Sequence, residues 1–368
     1  MGGIIMIIGI DTRVAPKKKT GMGVLLENIL KAMFDIDDRN CYKLLGDGFF
    51  ARGKNIKIFS LGGIVKRGFN FLWKFLHFPP ANFLIGRTDV FFFTNFVDFP
   101  IWSKKKILLI PDTTYLVHSR FVEKKNLYFL KKNVFSSAKR ADIIVTISHN
   151  SKIDIMKYYG LPEEKIKVIY PAVSLVSNTH NDLSSIAKKY NLRKPYILFV
   201  GTIEPRKNIN TLIDAYAMIN GNLLEKYDLI VAGGKGWQYQ KVFDAVKKIK
   251  KGNVIFTGYA DKKDLSSLYA NASLFVFPSF YEGFGLPVLD AMSYGVPTIC
   301  SGNSSLPEVG GDAVIYCDPY DTKKLSTQIS DLLNDKKRQN QLKTLGRTRA
   351  KQFSWEKSAS ALIDILLK

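Results

Sequence analysis

Short apolar runs recur along this chain, separated by longer stretches in which apolar positions return at helical spacing. Ile4–Ile10, Lys57–Ser60, Val90–Phe93, Ile107–Ile110 and Ile143–Ile147 form a first series. Continuous apolar runs of this length predict buried strands, and the 3.6-residue period between them predicts helices. After Tyr170-Pro171 the series breaks at a polar stretch, Ser177 to Ser185, followed by a helical Ile186–Tyr190. It resumes with Tyr196–Val200, Leu229–Ala232, Val254–Thr257 and Leu274–Phe277. Alternation of strand and helix implies parallel sheets with crossover helices, so the expected class is α/β with two doubly wound domains. Ligands are then expected at the carboxyl ends of the strands.

One segment carries the most chemistry. Pro278 to Phe284 leaves the last strand of the second series, and Leu286 to Tyr294 reads as a helix. Between them stand Glu282, Gly283 and Gly285, with Asp290 on the new helix. A Gly-rich turn at a helix start turns backbone N–H groups toward a polar ligand, and the helix dipole favours anions there. Glu282 sits on the loop, and Asp290 is set back by about two turns. That layout grips two parts of one molecule and suits a sugar nucleotide. Arg206 and Lys207 follow the strand Tyr196–Val200, where a guanidinium fork and an ammonium would neutralise a diphosphate. Gly233-Gly234-Lys235-Gly236, after Leu229–Ala232, reads as a plain turn rather than a phosphate loop.

The segment resembles the Glu-x7-Glu signature of the retaining GT-B glycosyltransferases of family 4, the glycosyl transferases group 1, including bacterial O-antigen and capsule mannosyltransferases. Other blocks resemble the family in its own order. They are Ile10-Asp11 to Leu25, Ser148-His149-Asn150-Ser151-Lys152-Ile153-Asp154, Gly201 to Asn208, Thr257-Gly258-Tyr259, Leu268 to Ala272, and Ser304-Ser305-Leu306-Pro307-Glu308-Val309. The resemblance implies a GT-B fold, two Rossmann-like domains facing across a cleft. Residues 1–186 would bind the acceptor and 187–353 the nucleotide-sugar, with a helix at 354–368 crossing back onto the first domain.

The resemblance also implies roles. Glu282 would approach the transferred sugar, the backbone at Gly283, Phe284, Gly285 and Leu286 would bind its hydroxyls, and Asp290 would bind the ribose. Asp290 is one methylene shorter than the family's second Glu. Arg206 and Lys207 would stabilise the departing nucleoside diphosphate in place of a metal, so no cofactor is expected. Gly201 belongs to the same block, and Gly258 with Tyr259 marks the nucleobase side. In the first domain Gly23 would come near the phosphates or the acceptor. Ile110-Pro111-Asp112 matches the family's strand-end His-Asp pair, with Asp112 kept and Pro111 in place of the His; His118, six residues on, is a candidate stand-in but reads rather as a lone exposed histidine. A retaining front-face substitution, with GDP-mannose as donor, follows from resemblance. A UDP-sugar transferase, an epimerase or phosphorylase on the same fold, and a non-catalytic binding protein are the competing readings.

Charge changes the picture of partners. The 368 residues carry 54 Lys and Arg against 32 Asp and Glu, a net +22. Such a field attracts anions: phosphorylated substrates, nucleic acid or an anionic membrane surface. Residues 64–78 mix Lys66, Arg67 and Lys74 with Phe69, Phe71, Trp73, Phe75 and Phe78, the composition of an interfacial segment or of a core helix with snorkelling lysines. Lys104-Lys105-Lys106, Lys124-Lys125 and Lys131-Lys132 add a second basic set. No nucleic-acid motif accompanies the charge, so a membrane surface is preferred as partner. No apolar run reaches membrane-spanning length, and Met1–Ile10 reads as a strand rather than a signal peptide. Three scattered cysteines, Cys41, Cys300 and Cys317, suit a reducing compartment. The expected location is the cytoplasm, on the inner face of the membrane.

Overall fold

The computed structural model describes residues 5–13, 21–46, 53, 55–60, 62, 68–69, 71–73, 78–174, 183–249 and 251–368. The chain divides into two compact units, one formed by Met1–Pro171 with Ser354–Lys368 and the other by Ala172–Phe353.

The first unit holds seven parallel strands: β1 (Ile7–Asp11), β2 (Cys41–Leu45), β3 (Ile56–Phe59), β4 (Val90–Phe93), β5 (Lys105–Leu109), β6 (Ile143–Thr146) and β7 (Ile166–Val168). Their order is β3-β2-β1-β4-β5-β6-β7, reversing between β1 and β4. One face of the sheet is covered by the helices Gly21–Ile36 and Trp355–Leu367. Leu25, Leu26, Ile29, Leu30 and Met33 of the first share one core with Ala359, Leu362 and Leu366 of the second, all buried at helical spacing. Ser354 caps the second helix by accepting the Lys357 N–H at 3.2 Å. The other face buries Phe91, Phe93, Phe99 and Leu108 beneath the helices Lys124–Arg140 and His149–Tyr159. Ser148 caps the latter through the Ser151 N–H, and Gly160 ends it in the left-handed region.

Trp73 lies in this second core. Its ring stacks on Phe99 with centroids 4.4 Å apart, and its Nε1–H donates to the Pro79 carbonyl at 2.7 Å. The core reading of the 64–78 stretch therefore holds for Trp73, while Phe71 and Phe78 are exposed. Residues 64–67, 70 and 74–77 of that stretch lie outside the described residues.

The second unit holds six parallel strands: β8 (Tyr196–Val200), β9 (Asp228–Ala232), β10 (Val254–Gly258), β11 (Leu274–Phe277), β12 (Thr298–Ser301) and β13 (Ile315–Cys317). The order β10-β9-β8-β11-β12-β13 reverses between β8 and β11. The helix Leu183–Tyr190 belongs to this unit, which begins earlier than residue 187. It is tied there because Lys189 and Tyr190 both reach Asp264 on the helix Lys262–Ala270. Among the described residues no helix is long and apolar enough to cross a membrane.

Candidate active site

The second sheet changes direction between β8 and β11, and loops leaving adjacent strands at such a point diverge and leave a crevice. The loop after β8 delivers Arg206 and Lys207, and the loop after β11 delivers Glu282. Their side chains meet. Lys207 Nζ donates to Glu282 Oε1 at 2.7 Å, and Arg206 lies 2.8 Å from Glu282 Oε2. Arg206 also binds Glu204 Oε1 at 2.8 Å and the Tyr281 carbonyl at 2.7 Å. The Lys207 and Glu282 side chains are only 10% and 8% exposed.

Burial would drive the Glu282 carboxyl up, yet the neighbouring charges of Arg206 and Lys207 outweigh it and hold its pKa down at about 2. Burial, reinforced by the Arg206 charge, lowers the Lys207 amine from its ordinary value, with Glu282 opposing. Glu282 is thus an anion held among donors. Two cations flank it, and they carry their counterion with them until another anion arrives.

Hydroxyl groups set the loop. The Ser279 hydroxyl lies within hydrogen-bond reach of both Glu282 Oε1 and the Arg206 carbonyl oxygen. Ser304 Oγ accepts the Glu282 N–H at 3.0 Å, and the Ser305 hydroxyl lies 2.9 Å from the carbonyl oxygens of both Glu282 and Phe284. Asn208 Nδ2 holds the Pro278 and Pro319 carbonyls at 3.0 and 2.7 Å. Gly285 begins the helix Leu286–Ser293 with φ of +111°, and a Cβ there would lie 2.5 Å from Leu306 Cδ2. The Ser304-Ser305-Leu306 block thus shapes the turn.

Asp290 is buried on that helix, 5% exposed. Its Oδ1 accepts the Ser174 N–H at 2.8 Å and its Oδ2 accepts the Ser174 hydroxyl at 2.5 Å. Gly283 and Phe284 are buried in the loop, and Leu286 is half-buried. Gly201 follows β8, with Lys207 Cε 3.7 Å from the position a Cβ would take. Gly258 ends β10, where an added Cβ would meet nothing within 4 Å, and Tyr259 beside it is 58% exposed. The Gly233 turn is a packing device: a Cβ there would lie 1.9 Å from the Gly201 carbonyl oxygen.

Gly23 and Asp112 belong to the first unit. Gly23 is buried in the first turn of Gly21–Ile36; Thr20 lies outside the described residues. Asp112, beyond the end of β5, accepts the Thr114 N–H at 2.9 Å. Pro111 is buried, its carbonyl taking the Ser151 hydroxyl at 3.2 Å. His118 is half-buried, and burial followed by the Arg120 charge lowers its pKa against the pull of Asp154. Sequence reading passed over Glu204, Ser279, Asn208, Ser304, Ser305 as loop supports, and Ser174. Glu204 and Asn208 flank Arg206-Lys207 within the family-like segment Gly201 to Asn208, whereas Ser174 carries no signal at all.

Residues 183–349 match the model of the family described as glycosyl transferases group 1. The chain is 34% identical to O-antigen chain mannosyltransferase B of Escherichia coli over 265 residues, 71% of this chain and 70% of that protein. It is 31% identical over 258 residues to the serotype-specific mannosyltransferase WbdA of Escherichia coli, 67% of this chain but only 31% of that longer protein. In fold it is similar to sucrose-phosphate synthase from Thermosynechococcus elongatus, with a TM-score of 0.77, 18% identity and 98% of each chain covered. Two parallel α/β units, an acid signature at the switch point of the second and these likenesses agree: the chain belongs to the glycosyl transferases group 1 family and is a GT-B glycosyltransferase.

Proposed function

We propose that this glycosyltransferase moves mannose from a nucleotide-sugar, GDP-mannose, to a glycan or polyprenyl-linked glycan acceptor in surface polysaccharide synthesis. The transfer retains anomeric configuration and needs no metal. The observation that carries the reading is the buried Arg206–Glu282–Lys207 cluster at the β8–β11 switch point. Mannose is supported by the likeness to the Escherichia coli O-antigen chain mannosyltransferase B. In this reading the acceptor oxygen bonds the anomeric carbon, the bond from that carbon to the phosphate oxygen breaks, and its electron pair leaves with the nucleoside diphosphate. The acceptor proton passes to a β-phosphate oxygen. Arg206 and Lys207 meet the diphosphate charge, Glu282 lies by the sugar, and Asp290 holds the ribose.

We place the protein in the cytoplasm, against the anionic inner face of the membrane. The helix Lys124–Arg140 supports this more directly than residues 64–78. It carries Lys124, Lys125, Lys131, Lys132, Lys139 and Arg140 with no acid. Tyr128, Phe129 and Phe135 stand exposed among them. Each such cation is worth about 1 kcal/mol near an anionic bilayer.

The test is thermal stabilisation by GDP-, UDP-, ADP- and TDP-sugars with and without chelator, followed by analysis of the transferred product. A donor at 100 times its Kd adds about 2.7 kcal/mol of stability. A shift with GDP-mannose, unchanged by chelator and lost in Arg206→Ala, is the expected result. A shift with a UDP-sugar alone names a different donor; no shift with any of them overturns the reading.

A further inference from the structure

Asp290 takes two hydrogen bonds from a single residue, and that residue lies far away in sequence. Ser174 is 116 positions earlier, near the start of the second unit. Its N–H meets one carboxylate oxygen at 2.8 Å and its hydroxyl the other at 2.5 Å. One contact would leave the carboxylate able to pivot about it. Two contacts, one on each oxygen, fix the plane of the group.

We propose that Ser174 is a positioning residue for nucleoside binding: it orients the Asp290 carboxylate toward the vicinal hydroxyls of a donor ribose. The inference rests on the proposed role of Asp290. A carboxylate oxygen accepts more than one hydrogen bond, so a pinned group can still receive ribose hydroxyls. Orientation matters more for an aspartate than for a glutamate at this place, because the shorter side chain has one torsion fewer with which to adjust its reach. A buried carboxylate needs donors in any protein, and a purely structural Ser174 would satisfy that need equally well. The two roles separate on ribose dependence.

The experiment is calorimetric titration of the full chain with GDP and UDP and with their 2′,3′-dideoxy counterparts. In the parental protein each ribose hydrogen bond to the charged group is worth roughly tenfold in Kd, so the dideoxy nucleotide binds at least about tenfold more weakly. Ser174→Ala is expected to weaken the ribonucleotide about fivefold to tenfold and leave the dideoxy nucleotide within about twofold, collapsing the discrimination. Ser174→Thr, which keeps the hydroxyl, restores it. Equal losses for both nucleotides in Ser174→Ala would make the residue structural and overturn the proposal. Tighter ribonucleotide binding in Ser174→Ala would also overturn it, by making Ser174 a competitor of the ribose. If the parental protein binds neither GDP nor UDP, the proposed function fails and this inference fails with it.

Discussion

Replacing Glu282 by Gln removes one charge and almost no volume, which isolates the electrostatics of the cluster after β8 and β11. The carboxyl falls from an ordinary 4.5 to about 2 in the folded chain, because Arg206 and Lys207 together outweigh the burial that pushes it upward. A depression of that size corresponds to about 3 kcal/mol of stability. The folded value lies below the unfolded one, so the contribution is complete above pH 4.5 and drains away as pH falls toward 2. Urea unfolding should place Glu282→Gln about 3 kcal/mol below the parental protein at pH 7. At pH 3 the gap should have closed by about 2 kcal/mol, because the unfolded carboxyl is then protonated and the folded one is beginning to be. Hydrogen exchange at β8 and β11 would locate the loss in the second unit. The Lys207 amine adds a second signature. Burial and Arg206 already lower its pKa from 10.5, and losing Glu282 removes the main opposing charge. The variant should therefore regain stability as pH rises from the lowered folded value toward 10.5, where the neutral amine is tolerated. A gap that does not change between pH 7 and pH 3, or one below about 1 kcal/mol, would refute this account of the cluster.

Gly285→Ala places a methyl group against Leu306 at a left-handed φ; it should cost about 2 kcal/mol or more, read as a fall in Tm, and weaken donor binding because the turn carries the loop N–H groups. In steady-state kinetics Asp290→Ala should chiefly raise the donor KM and Glu282→Ala chiefly lower kcat, and the reverse pattern would exchange their roles.

The long apolar runs were legible because burial on both faces leaves little polar code in a parallel strand. The edge and near-edge strands β2, β7, β12 and β13 escaped notice. Cys41–Leu45 contains a lysine, Ile166–Val168 and Ile315–Cys317 have three residues each, and Thr298–Ser301 is half polar. Their strand character comes from the neighbour they pair with, which no local window contains. The charged residues of the site were likewise readable, since Glu282, Arg206 and Lys207 sit in fixed local patterns. The serines that hold them were not. Ser304 reaches Glu282 across 22 positions and Ser174 reaches Asp290 across 116, and a loop serine has no periodicity to announce its partner. Trp73 shows a choice that composition leaves open: a basic, aromatic stretch suits a surface or a core, and packing puts this ring in the core.

The helix Trp355–Leu367 closes a face of the first unit, although the whole second unit precedes it in the chain. During synthesis, then, the second unit can complete its contiguous core while the first still lacks one of its walls. Until that helix emerges from the ribosome, Leu26, Ile29 and Leu30 have no cover from it, and the earlier-made half of the protein is the later to mature. A nascent chain stalled between the two events would offer chaperones the apolar face of the first unit that this helix later covers, after the second unit is complete.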